Sequence, residues 1–325
     1  MKISVVIPTY NRSLFVHKCI QSLIEQDFKQ DEFEIIVVSD GSTDDTRQIV
    51  GQFTGLPTVI LLEQENAGLS SGRNAGALAA SGEIVLFLYD DVICAPGLLT
   101  AHHTAHMGRT VVVVGGFRSC LSDKARLGEM LIHDGITSEV VVAGVLDQWP
   151  DSASMGLNCS MQRDLFMEVG GYDRENFARY TEDIEIGWRI AKLDIIFWRE
   201  PGAVVTHSYD KSDSQFIADA SAFGAAMVRL CRKHPELRTH VRLAKLVAGN
   251  RYRLAIARFL ATGHYVFEPL LSIACSVLYP SRRTRFKPIV IKLMGVRSAI
   301  SFWHGAICEA GSWNDLIRLM TGHRL

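Results

Sequence analysis

EIVLFLYDD, residues 83–91, runs through six apolar or aromatic side chains and then stops on two adjacent carboxylates, Asp90 and Asp91. Like charges side by side each raise the cost of ionising the other, so a strand that ends this way has to meet something that holds the pair. The run belongs to a set: ISVVI (3–7), FEIIVVS (33–39) and TVILLE (58–63) precede it, all short β-branched stretches of the kind that a parallel sheet covered on both faces requires. Between them the apolar period changes. Val16, Cys19, Ile20, Leu23 and Ile24 recur at three- and four-residue spacing. GSTDDTRQIV offers Ser42 or Thr43 as a cap with Asp44 and Asp45 in the first turn, and SSGRNAGALAASG is a small-residue helix closed by Gly82. Alternating strand and helix predicts a wound α/β sheet.

Ligands of such sheets sit beyond the carboxyl ends of the parallel strands. The first strand is succeeded by Pro8-Thr9-Tyr10-Asn11-Arg12, the second by Asp40-Gly41-Ser42, the third by Glu65-Asn66 and the fourth by Asp90-Asp91. Polar groups therefore gather on one rim. The carboxylate pair stands at the mouth of a ligand crevice, where a cation or sugar hydroxyls relieve its repulsion, and hard ions such as Mg2+ or Mn2+ prefer such oxygen ligands.

Further along, TVVVVGG (110–116) reads as a strand, SEVVVAGVL (138–146) as a candidate strand, and residues 156–193 as a strand or turn, an aromatic-rich loop and a helix from Thr181. DIIFWREPGAVVTHSY (194–209) predicts two short strands with a turn at Pro201-Gly202. The chain has 325 residues, 48% hydrophobic and 21% charged, which suits one large α/β domain with an extension and excludes a disordered or fibrous protein. Seven scattered cysteines suggest neither a disulfide framework nor a zinc ribbon and point to a reducing cytosol. The first apolar run ends at Pro8 without a secretory cleavage site, so the mature chain is expected to start at Met1.

SVVIPTYNR, VVSDGSTDDT, ENAGLSSGRNAGALAASGEIVLFLYDDV, GGYDRENFARYTEDIEIGWR and VVTH resemble, in order and spacing, the motifs of a family 2 glycosyltransferase of the GT-A fold, over roughly residues 1–210. The resemblance implies a Rossmann-like, mostly parallel sheet with helices on both faces. Its catalytic domain would span 1–211, with a nucleotide-sugar half (1–115) and an acceptor half (116–211), before a basic helical extension (212–325). It implies that Tyr10 packs on the nucleotide base and Asp40 hydrogen-bonds it over a floor of Pro8 and Thr9, that Arg73 contacts the base or the phosphates, and that Asp90 faces the ribose. Asp91 would ligate Mn2+ or Mg2+, with His207 approaching the ion or the diphosphate. Asp183 matches the general base, Glu182 shares acceptor contacts, and Tyr172, Phe177 and Tyr180 could stack on sugar faces. Many members carry an aspartate where this chain has Tyr89.

These assignments imply an inverting transfer from a nucleotide sugar, uridine-linked, to a hydroxyl of a glycan or lipid-linked glycan in cell-surface polysaccharide synthesis. A metal ion would stabilise the leaving diphosphate, and a carboxylate on the opposite face would take the acceptor proton. The competing readings are a membrane-bound sugar-nucleotide sensor and a sugar nucleotidyltransferase. The latter would want a glycine-rich loop after the first strand, where PTYNRS has no glycine. His102, His103 and His106 lack the intervening carboxylate of a zinc protease and read as a solvated helix face. GALAASG lacks dinucleotide-fingerprint spacing.

The net charge of −1 conceals an asymmetry, because residues 226–325 carry 17 Lys and Arg against 4 Asp and Glu. Basic residues alternating with Leu, Phe, Trp and Tyr fit helices lying on an anionic membrane surface and equally fit helices packed on the catalytic domain with their arginines in water. Arg258, His264 and Glu268 interrupt the longest apolar stretch, which argues against a spanning helix. Nucleic acid finds no context in the catalytic motifs.

Overall fold

The computed structural model describes residues 1–53, 55, 57–119, 126–136, 144–145, 154–208, 211–241, 251–280 and 287–321. The chain divides into two compact units, one formed by Met1–Cys120 and Thr137–Tyr209, the other by Leu121–Ile136 and Asp210–Leu325. Residues 121–136 thus belong with the second unit and not with the strands on either side of them in sequence.

The first unit begins with β1 (Ile3–Thr9), α1 (Ser13–Ile24), β2 (Phe33–Asp40), α2 (Thr46–Val50), β3 (Thr58–Gln64), α3 (Leu69–Ala79) and β4 (Ile84–Leu88). These four strands are parallel in the order β3-β2-β1-β4. Their alternate residues, among them Val5, Ile7, Ile35, Val37, Leu86 and Leu88, form a fully buried core with Ile20 and Leu23 of α1. The small residues of α3 let it lie close on the sheet: a Cβ on Gly76 would stand 2.3 Å from Val6. The predicted cap of α2 is displaced, because Asp45 is its N-cap and Asp44 accepts bonds from Thr46 and from Ser13 N instead.

After β5 (Val92–Cys94), α4 (Leu98–His106) and β6 (Val111–Ser119) come β7 (Gly144–Val145), α6 (Ser154–Leu157), β8 (Asn158–Gln162), α7 (Arg163–Glu168), α8 (Glu182–Ala191) and β9 (Ile196–His207). β8 runs antiparallel between β4 and β6, β9 pairs parallel with β6, and β5 and β7 pair antiparallel with β9. The expected turn at Pro201-Gly202 is instead a bulge within one continuous strand, where the register with β6 jumps between Gly115 and Gly116. Of the candidate strand 138–146, only Gly144–Val145 lies within the described residues.

The histidines of α4 correct another expectation. His102 and His106 are buried, because the helix turns them onto the sheet. Both hydrogen-bond Ser160 Oγ at 2.8 Å, and His102 also bonds Asn158 Oδ1 at 2.9 Å. Burial lowers His102 to about 4 and His106 to about 3, which keeps both rings neutral.

The second unit is helical, with α5 (Leu127–Ile136), α9 (Asp213–Lys233), a 3₁₀ turn (Pro235–Thr239), α10 (Arg251–Thr262), α11 (His264–Leu278), α12 (Lys287–Ala310) and α13 (Trp313–Thr321). A capping box between Ser212 and Gln215 starts α9. Gly224 and Gly305 bring α9 and α12 together: a Cβ at either would stand 2.0 Å from a carbonyl oxygen of the other helix. Val266, Leu270, Ile273 and Val277 of α11 recur at helical spacing and are exposed, as are Ile256 and Phe259 of α10. The α11 carboxylate Glu268 is paired with Arg297 at 2.6 Å. No helix among the described residues is long and apolar enough to cross a membrane.

Candidate active site

At the rim beyond β1 and β4, Thr9 Oγ1 donates to Asp90 Oδ2 at 2.7 Å. Arg12 Nη2 donates to Asp91 Oδ2 at 2.8 Å, while Arg12 Nε stands 3.5 Å from Asp90 Oδ1. His207, brought in by β9, places Nε2 3.2 Å from Asp91 Oδ1, yet that buried oxygen accepts no aligned hydrogen bond. The environment splits the pair. Burial pushes Asp90 up to about 6 despite Arg12. Burial also works against ionised Asp91, but His207 and then Arg12 outweigh it and hold that carboxyl below its ordinary value. Arg12 was missed in the sequence, although its position on the polar rim after the first strand was a usable signal.

The neighbouring turns form the rest of the rim. Asn11, in the left-handed region at φ 52°, accepts from Thr43 N through Oδ1 at 2.7 Å and donates its own N–H to Ser42 Oγ at 3.0 Å. Tyr10 is half exposed and Pro8 is buried in β1. Asp40 is largely engaged: Oδ1 accepts from Gln64 Nε2 and Ala67 N, and Oδ2 from Gly68 N at 2.9 Å. It organises the turn into α3 and keeps only its remaining lone pairs for a ligand.

Asp183 stands in the first turn of α8, 8% exposed. Burial and then Glu182 push it up to about 7, with Arg73 pulling the other way. The two residues before the helix, Tyr180 and Thr181, both take left-handed conformations at φ 63° and 57°. Non-glycine residues adopt these at a cost that clusters at functional sites.

Two residues expected to face ligands are turned inward. Arg73 is fully buried, with Nη1 3.0 Å from Glu182 Oε1, Nη2 donating to Gly156 O at 3.0 Å, and its guanidinium against the rings of Tyr172 and Tyr89 at 4.9 and 5.5 Å. Tyr172 offers no face to a sugar, because its ring packs against Phe87 and Phe166 at 2% exposure. Phe177 is buried as well. Tyr180 remains half-buried with Arg179 over its ring. The buried Oε1 of Glu182 serves Arg73, and Oε2 has no hydrogen-bond partner.

The model of the family described as glycosyl transferase family 2 matches residues 4–169, half of the chain. The chain belongs to glycosyl transferase family 2. Validoxylamine A glucosyltransferase of Streptomyces hygroscopicus subsp. jinggangensis is a relative 28% identical over 87% of this chain and 74% of its own. TarS of Staphylococcus aureus, a poly(ribitol-phosphate) beta-N-acetylglucosaminyltransferase, is 42% identical over 28% of this chain and 16% of its own. Among solved structures, the mannosyltransferase PcManGT of Pyrobaculum calidifontis, in complex with GDP-Man and Mn2+, aligns with a TM-score of 0.56 at 18% identity over 93% of this chain and 86% of its own. TarS residues 1–349 with UDP align at 0.53 and 17% over 94% and 90%. These neighbours confirm the GT-A fold.

Proposed function

We propose that this glycosyltransferase moves a sugar from a uridine diphosphate sugar to a hydroxyl of a glycan or lipid-linked glycan, with inversion, in cell-surface polysaccharide synthesis. The single observation that carries the reading is that Arg73 stands between the segments that carry the two carboxylate pairs. Tyr89, which it touches, immediately precedes Asp90, and Glu182, which it binds, immediately precedes Asp183. The residues that precede the charged rim and the buried acid near neutrality are thus packed on one guanidinium.

The rim suits a hard divalent cation. Asp91 Oδ1 is a buried carboxylate oxygen without a hydrogen bond, and His207 stands beside it. Among the described residues no group of three or more His, Cys, Asp or Glu side chains could hold a metal ion, so an ion at Asp91 would take most of its ligands from phosphate and water. Mn2+ or Mg2+ held there would supply positive charge to a leaving diphosphate. Arg12 would add a second cation to the same oxygens. Tyr10 would offer its exposed ring to the base, Asp40 a remaining lone pair, and Thr9 would fix Asp90 toward the ribose. Asp183 would take the acceptor proton, since a carboxyl near 7 is partly ionised and still basic at neutral pH. The UDP donor is supported by the UDP complex of TarS and the glucosyl and N-acetylglucosaminyl relatives. The exposed apolar stripe of α11, in a region rich in arginine, supports docking on an anionic membrane surface; sedimentation with phosphatidylserine vesicles tests that part.

The test of the transfer is mass detection of UDP released from UDP-glucose and UDP-N-acetylglucosamine in Mn2+. Release that Asp183→Asn removes supports the reading. Nucleotide binding with no turnover of either sugar, before or after the substitution, would favour a sensor.

A further inference from the structure

The arginine that the family likeness would send to the donor is fully enclosed. α3 presents Ser70, Arg73 and Asn74 to the segment before α8. Asn74 exchanges two 2.8 Å hydrogen bonds with the backbone of Tyr172, Ser70 N donates to Ala178 O at 3.1 Å, and Arg73 reaches Glu182. Gly156 is required for this arrangement, because a Cβ there would stand 2.1 Å from Arg73 Nη2.

We propose that Arg73 is a positioning residue for proton transfer: through its buried ion pair with Glu182 it fixes the first turn of α8 and sets the charge that Asp183 faces, and it makes no contact with the nucleotide. The inference rests on the reading of Asp183 as the base.

The groups that face Asp183 are Glu182 on its own helix, Arg73 from α3, Tyr89 after β4, Cys159 of β8 and Tyr172 of the loop after α7. Burial raises the last three, so they are uncharged at neutral pH. What remains is one anion and one cation. Two adjacent buried carboxylates resist being ionised together. The guanidinium is bonded to Glu182 and not to Asp183, which leaves Asp183 free to gain and lose a proton. Arg73 Nε and Glu182 Oε2 are both without hydrogen-bond partners, so removing either member strands the other charge.

Carboxyl carbon-13 NMR of aspartate-labelled full-length protein tests this, with the Asp183 resonance identified by its loss in Asp183→Asn. Arg73→Met should move its titration up by about one unit or more, Glu182→Gln should move it down by as much, and the neutral double variant should return it to within about half a unit of wild type. The affinity for UDP in Mn2+ should stay within about threefold throughout. Should Arg73→Met fail to fold, the Glu182→Gln and double variants read the same coupling from the other side. A titration unmoved in Glu182→Gln, or UDP affinity lost about tenfold or more in a folded Arg73 variant with the titration unchanged, overturns the proposal. Continued UDP release by Asp183→Asn would instead overturn the assignment of the base.

Discussion

Two neighbouring carboxylate pairs, Asp90-Asp91 and Glu182-Asp183, start from the same problem and are held differently. Each has two acids in sequence, buried at an element end with one arginine nearby. Arg12 spans both members of the first pair, from a side chain about a quarter exposed, and His207 reinforces the hold on Asp91. Arg73 is fully enclosed and binds Glu182, while burial and then Glu182 raise Asp183 to about 7 against the pull of Arg73. The difference teaches that a cation holds a buried acid ionised only where it outweighs burial: His207 and Arg12 do so at Asp91, Arg12 does not at Asp90, and Arg73 does not at Asp183. A carboxylate held ionised suits a cationic ligand, and one left near neutrality suits a proton.

The comparison breaks most visibly at turnover. Asp183→Asn should lower kcat by about 10²–10⁴, the range for loss of a general base, as read by UDP release. A smaller effect is expected at Thr9→Val. This leaves Asp90 Oδ2 without its 2.7 Å partner, and unfolding by urea should show a loss of about 1–3 kcal/mol.

Stability against pH separates the pairs further. The folded-state value of Asp183 lies above its ordinary 3.8, so the folded protein keeps a proton that the unfolded chain has lost. Its contribution is present at low pH and is lost as pH rises through about 7. Asp183→Asn should therefore raise Tm at pH 8, by on the order of a few degrees, and leave it nearly unchanged at pH 4; an equal change at both would contradict the burial account. The buried histidines give the reverse sign. With His102 lowered to about 4 from 6.5, its contribution is complete above 6.5 and fades as pH falls toward 4. His102→Gln should flatten that acid limb in thermal melts at pH 4–7.

Much of this was legible in the sequence. Uniform apolar runs marked β1 to β4 because strands buried on both faces leave no other pattern. The rim residues came from the rule that ligands sit at strand ends. What stayed hidden was side-chain direction. The resemblance sends Arg73 to the base or the phosphates, and only the position of Gly156 and the rings of Tyr89 and Tyr172 show that it points inward. Tyr172 looked like a stacking platform because aromatic composition does not tell a core ring from an exposed one. His102 and His106 carried no sign of Ser160 and Asn158, some fifty residues away in sequence, that satisfy them. Pro201-Gly202 suggested a turn, and the bulge that absorbs it depends on the register with β6.

The division of labour between the two pairs is tested most directly by calorimetric titration of UDP, in Mn2+, into the wild-type, Asp91→Asn and Asp183→Asn proteins. Asp91→Asn should weaken binding by about tenfold or more, and Asp183→Asn should leave it within about threefold of wild type. Equal losses in the two variants, or undiminished binding in Asp91→Asn, would contradict the account.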